Sequence, residues 1–399
     1  TLTSTSVANA DAVSVAVTTA GVALAGDNSW DGGVTANATA KGIDAGTGFD
    51  TVFNEGEIDS HATAVSPDVA VSVAVSGAAG AVSTATATAQ SSGIDASADY
   101  PDGADTITNK AKITSKADAT AVAVNGSVTT AGVAISADGI WDGGTHANAT
   151  ASGIHAGMGD DTLANDGEID TSATTVAPSI SGSVAVSGVA GAISAATATS
   201  NATAIDANDG NDSVNNTAKL MASTVANANG VSVSVTAAGL AVAGNTFWDG
   251  GVNSVATSKG IDGGKGQDGI TNSGEIDADA TAVTTGTNVS VAVAGVAGAI
   301  SASQAQARTT AIDGGDGNDT ILNTGKLSAT TLANADTVGA AVSVYGVGVA
   351  GNNTWDGGTT TDARSTGIDG GTGQDSIGNG GEIEAKATTE STSVGVGFD

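Results

Sequence analysis

Seven aspartates recur at one position of a repeated turn: Asp50, Asp105, Asp161, Asp212, Asp268, Asp319 and Asp375. Upstream in each copy lies a second acidic position, held by Asp44, Asp95, Asp206, Asp262, Asp313 and Asp369, with His155 as the one exception. If successive copies stack at strand spacing, neighbouring carboxylates repel by roughly 3 kcal/mol near a protein surface. A divalent cation such as Ca²⁺ would offset that repulsion, using carboxylates together with carbonyls freed by a glycine-rich loop. The candidate ligands are Asp44, Asp50, Asp262, Asp268, Asp313, Asp319, Asp369 and Asp375. The competing reading is that each Asp caps loop amides as an Asx-turn, with solvent screening the remainder.

The elements that must position these groups follow from the repeat itself. Its consensus is G-I-D-G-G-x-G-x-D-x-I-x-N-x-G-x-I, and the steps between the seven aspartates are 55, 56, 51, 56, 51 and 56 residues. The first step reduces to 51 once a four-residue insertion around Tyr100–Pro101 is removed, so two similar halves (51 + 56) make a 107-residue unit. The motif cores span 42–60, 93–115, 153–171, 204–222, 260–278, 311–329 and 367–385. A fixed period in this range marks a solenoid or a tandem array. After each core, Thr, Ala and Val alternate with a period of two, as at Val289, Val291 and Val293, and Gly295 and Gly298 permit bends. There is no 3.6-residue periodicity. The expected fold is all-β: an elongated parallel β-solenoid with about one coil per half-repeat. The alternative is a string of β-sandwich domains of about 107 residues. Whether a half-repeat is one large coil or several small ones stays open.

Charge register favours stacking. Seven residues after each motif Asp stand Glu57, Lys112, Glu168, Lys219, Glu275, Lys326 and Glu382, whose signs alternate without a break. Adjacent opposite charges pair, whereas like charges would repel. Two positions on, Asp59, Asp170, Asp277 and Glu384 alternate with neutral Thr114, Met221 and Ser328. Four residues after the motif Asp comes Asn in all copies: Asn54, Asn109, Asn165, Asn216, Asn272, Asn323 and Asn379. Stacked amides would form a hydrogen-bonded ladder. The plainer alternative is a turn residue tolerant of left-handed φ. The apolar pair Val52/Ile58, repeated as far as Ile377/Ile383, is expected in the core.

Composition agrees with a thin, regular scaffold. The 399 residues include 58 Gly, 3 Pro and no Cys, with aromatics at only 3%. Ala and Val dominate the apolar fraction; they can fill a narrow space between close sheets but not a wide core. The net charge of −31 opposes nucleic-acid binding and fits solubility or bound cations. No long uninterrupted apolar run marks a transmembrane segment, and no basic n-region with an apolar stretch opens the chain. Residues 2–30 align without gaps on 327–355, so the array is expected to be a segment of a longer one. Trp30, Trp141, Trp248 and Trp355 each open a W-D-G-G sequence, and only in the longer intervals. They would lie either on loops protruding from every second coil, where an exposed row could bind glycans or a neighbouring filament, or folded back over the loop base.

The stretches Gly314-Gly315-Asp316-Gly317-Asn318-Asp319-Thr320-Ile321 and Gly370-Gly371-Thr372-Gly373-Gln374-Asp375-Ser376-Ile377 resemble the calcium-binding nonapeptides of RTX proteins. With the following N-x-G-x-I they also look like coils of large bacterial surface proteins, such as autotransporter passengers and filamentous-haemagglutinin-like adhesins. RTX arrays place nonapeptides back to back, whereas here one occurs per half-repeat, so only the turn chemistry carries over. The resemblance implies an extracellular, cell-surface setting. The leading functional expectation is a structural fibre or stalk that associates with copies of itself. An adhesin or glycan-binding module using the Trp loops is the alternative, and ice binding by Thr-Ala runs is a weaker third. No nucleophile elbow, H-E-x-x-H or P-loop is present, and His61, His146 and His155 show no ligand spacing, so no enzyme activity is expected.

Overall fold

The computed structural model describes residues 1–26, 33–97, 103–138, 144–245, 251–352 and 358–398. Three parallel sheets run through the described residues, and every half-repeat contributes one strand to each. In the coil from Ile276 these are a long strand, Ile276–Ser301, a middle strand, Ser303–Asp313, and a short strand, Thr320–Asn323. The long sheet has eight rungs and nine strands, its first rung being divided into Leu2–Asn9 and Ala12–Gly26; the other two hold seven each. Successive copies pair in parallel and in register, as in Ile58↔Ile113, Ile169↔Leu220 and Ile276↔Leu327. Parallel ladders between successive half-repeats are what a solenoid requires, and tandem sandwiches are thereby excluded. Each half-repeat is one large coil.

The alternation of 51 and 56 residues has a defined place. Two residues, Ser194 and Ala195, separate the long strand ending at Ile193 from the middle strand starting at Ala196. In the next coil seven residues, 245–251, separate Gly244 from Val252. Both strand pairs are in register, so the five extra residues (7 − 2) fall in this connection, the one containing W-D-G-G. The four tryptophans lie outside the described residues, as do Tyr100 and Pro101.

Inside the coil, side-chain size sets the layer spacing. Ala280 and Ala282 of the long strand share a buried cluster with Ala305 and Ala307 of the middle strand. The Ser258 hydroxyl reaches across this core to donate to the Ala222 carbonyl at 2.7 Å, and Ser91 does the same to Ser60 at 2.9 Å. A side chain as short as serine thus bridges the two layers. At the end closed by the short strand the space widens, and Ile261, Ile270, Ile276, Ile312 and Ile321 fill it. Val52 and Ile58 belong to this cluster as expected, but Ile377 and Ile383, in the last rung, are 49% and 41% exposed because no further rung covers them here.

The long strand bends back on itself at a glycine column: Gly21, Gly77, Gly132, Gly188, Gly239, Gly295 and Gly346 all have positive φ. At Gly239 φ is 136°, and a Cβ would sit 1.9 Å from the Gly188 carbonyl oxygen, so only glycine fits. After the bend the second limb lies against the first. Ala292 packs on Ala297 and Ala299, and Ser290 donates to the Ala241 carbonyl at 2.8 Å. The result is a thin, two-layered blade beyond the alanine core.

Candidate functional site

The turn aspartates are buried, not exposed: Asp105, Asp161, Asp212, Asp268 and Asp319 retain 1–2% of their surface. Their order comes from the backbone. The amide of each Asp donates to Oδ1 of the Asp one rung on, from Asp50 N to Asp105 Oδ1 at 2.7 Å through to Asp319 N to Asp375 Oδ1 at 3.0 Å. The Oδ2 atoms of Asp50, Asp212, Asp268 and Asp319 are buried and make no hydrogen bond. For Asp319 that atom lies 3.0 Å from where a Cβ on Gly314 would stand, with the Gly370 carbonyl oxygen at 2.8 Å. Burial pushes Asp212 up to about 8 and Asp268 up to about 6, the backbone hydrogen bond opposing and neighbouring carboxylates reinforcing the rise; burial raises Asp319 too.

The upstream row is neutralised differently. Lys41 Nζ bridges Asp44 and Asp95 at 3.1 and 2.9 Å. Lys259 Nζ bridges Asp262 and Asp313 at 2.7 and 2.8 Å. His155 takes an Asp position and stands between the carboxylates on either side, 3.5 Å from Asp95 and 3.6 Å from Asp206. Burial alone would lower its pKa, but the Asp95 hydrogen bond and the two negative charges outweigh burial and raise it. Asp95, despite burial, is held well below the usual carboxylate range by His155, Ser97 and Lys41. Lys41 and Lys259 share a register column with Ser92, Ser152 and Thr203. Where those small side chains replace lysine, a hollow of about 240 Å³ opens, lined by Lys41, Asp95, His155 and Asp206 among others. The role of His155 depends on what lies 60 and 51 residues away, since it pairs in register with Asp95 (155 − 95) and Asp206 (206 − 155), and nothing local in the sequence signals it.

The asparagines form the ladder. Nδ2 of each donates to Oδ1 of the next, from Asn54 to Asn109 through Asn323 to Asn379, at 2.7–2.8 Å. The Glu/Lys column stacks as its signs require, with Lys112–Glu168 at 2.8 Å and Lys219–Glu275 at 3.7 Å. Both pairs are solvent-exposed and contribute little each.

Calcium fits this arrangement in one respect: a buried oxygen without a hydrogen-bond partner recurs along the turn row. It falls short in another, since among the described residues no three carboxylate or imidazole side chains converge as a metal-ligand group. The upstream row, with Asp44, Asp262 and Asp313 already joined to lysines, offers less. No helix among the described residues is long and apolar enough to cross a membrane. Comparisons with protein-family models, with curated proteins and with solved structures yielded no match.

Proposed function

We propose that this chain is a structural element, an extended spacer or stalk whose length is set by the number of coils. The observation that carries this reading is the unbroken register of the three sheets, with an Asn amide and an Asp carboxylate linking each rung to the next in the same place. Such a stack resists extension along its axis because every rung is held by many parallel hydrogen bonds that must break together. Its use outside the cell, at a bacterial surface, rests on the likeness of the turn motif to surface and RTX proteins. Single-molecule pulling on the two ends tests the mechanical role. The expected trace is a series of force peaks, each releasing the contour length of one or two coils. Smooth extension at low force would count against a load-bearing function.

Calcium along the turn row is a second part of the proposal, favoured by the buried Oδ2 atoms. A proton on each affected carboxyl would satisfy the same oxygen. Melting at pH 8 with calcium and with chelator separates the two: a calcium-held row loses several degrees on chelation, and a protonated row does not respond.

A further inference from the structure

The first limb of the long strand, between the alanine core and the glycine bend, turns a face to solvent that carries no charge. Its outward positions form columns across eight rungs. One is valine in seven of them, Val17, Val73, Val128, Val184, Val235, Val291 and Val342, and ends on Phe398. A second runs Val13, Val69, Val124, Ile180, Val231, Thr287 and Val338. The column between them is Val or smaller. These side chains are open: Val128, Ile180, Val184, Val233 and Val338 are 37–44% exposed although each is flanked by neighbours on a flat sheet. Among the described residues none packs over them.

Three observations say what covers the face. The first is area. Eight rungs at about 4.8 Å, by about seven residues at 3.3 Å, give roughly 900 Å² per copy, and two such faces together reach roughly 1,800 Å², within the range of stable protein pairs. A contiguous apolar patch of this size exceeds what monomers usually show. The second is charge. The chain carries −31, yet the blade segments 12–26, 69–83, 124–137, 180–193, 231–244, 287–301 and 338–351 contain no Asp, Glu, Lys, Arg or His. Two copies meeting here keep their acidic rows at the far ends of their cross-sections. The third is corrugation. Rows of β-branched side chains repeating at rung spacing interdigitate best with rows of the same spacing, and a second copy supplies that spacing over the same length.

We infer that this valine face is a lateral docking surface for a second copy of the chain, packed face to face as a dry, self-complementary interface. The inference extends the scaffold reading from single stalks to paired ones, and the two fail separately: a monomer that still gives stepwise force peaks removes the pairing and leaves the stalk.

The test is sedimentation equilibrium of the full chain together with the triple variant Val128→Thr, Val184→Thr, Val235→Thr. Threonine keeps the branched shape and the strand preference, and circular dichroism with thermal melting checks that the variant is folded. The wild type is expected to dimerise in the micromolar range, and the triple variant to raise the dissociation constant about 100-fold. A second variant on the opposite limb, Val133→Thr with Val189→Thr, is expected to leave dimerisation unchanged. A wild type monomeric up to about 100 µM, or a folded triple variant that dimerises as before, overturns the proposal. So does a wild type that co-sediments with phosphatidylcholine vesicles through these valines instead of pairing, because the face would then take lipid.

Discussion

At the residue scale, the buried aspartates make folding a proton-uptake event. Asp212, Asp268 and Asp138 have folded values of about 8, about 6 and about 7 against an ordinary 3.8, in each case chiefly through burial. They hold protons in the folded chain at pH values where the unfolded chain has released them. Their contribution is therefore complete below about pH 4 and is lost as pH rises through the folded values. His155, raised by its carboxylate neighbours, acts in the same sense: its contribution is present below about 6.5 and lost above its folded value. Asp95, held low, acts oppositely and loses its contribution as the medium becomes strongly acidic. The melting temperature should peak under mildly acidic conditions and fall by several degrees towards pH 9. Asp212→Asn, which mimics the protonated acid, should flatten the alkaline limb and raise melting at pH 9 relative to the wild type. Calorimetry from pH 4 to 9 checks this, and a wild-type profile flat over that range would refute it. The positions of these residues were legible because each copy repeats them. Their partners were not. Asp212 takes a backbone amide from Asp161, and Lys41 reaches Asp95, across a rung gap that only the register defines.

At the element scale, the period of two in Val and Ala foretold strands, and the alternating Glu and Lys foretold their stacking. The fold-back of the long strand was only half visible. Gly295 and Gly298 both looked like bend points, but only Gly295 has positive φ, while Gly298 continues the second limb. The distinction is a matter of backbone contact that residue type does not reveal. It leads to a paired prediction. Gly239→Ala drives a Cβ into the Gly188 carbonyl in a left-handed conformation and should destabilise by about 3 kcal/mol or more. Gly126→Ala, on the open face with nothing within 4 Å, should change stability by no more than about 0.5 kcal/mol. Urea denaturation of both variants decides it; equal effects would mean that the bend column is not under constraint.

At the scale of the whole molecule, stability is a sum over nearest-neighbour rungs. Excising one 107-residue unit (51 + 56) restores every column, the Glu/Lys alternation included. The shortened chain should fold with nearly the same melting temperature, and X-ray scattering should find it shorter by about 10 Å. Excising a single lysine-bearing half-repeat also preserves the backbone ladder but sets Glu against Glu. That variant should melt lower at low ionic strength and recover in about 1 M salt, where exposed charges are screened. The architecture could be read in advance because repetition fixes which residues meet. The blade and the hollow over His155 could not: the blade depends on which repeated glycine takes positive φ, and the hollow arises where small side chains replace lysine in one column.

The serine bridges across the core have a further consequence for how this chain can change over time. Two layers close enough for a hydroxyl to span them leave no room inward for anything much larger than alanine, serine or threonine. A lone leucine there would wedge open its own rung and the rungs on either side. The positions between these two layers are thus held to small side chains, and substitutions there exchange one small residue for another, as in the buried column Asp68, Ala123, Ser179, Gly230, Gly286 and Thr337. The monotony of the sequence is the imprint of that narrow gap, and the larger differences between one coil and another are carried on its outside.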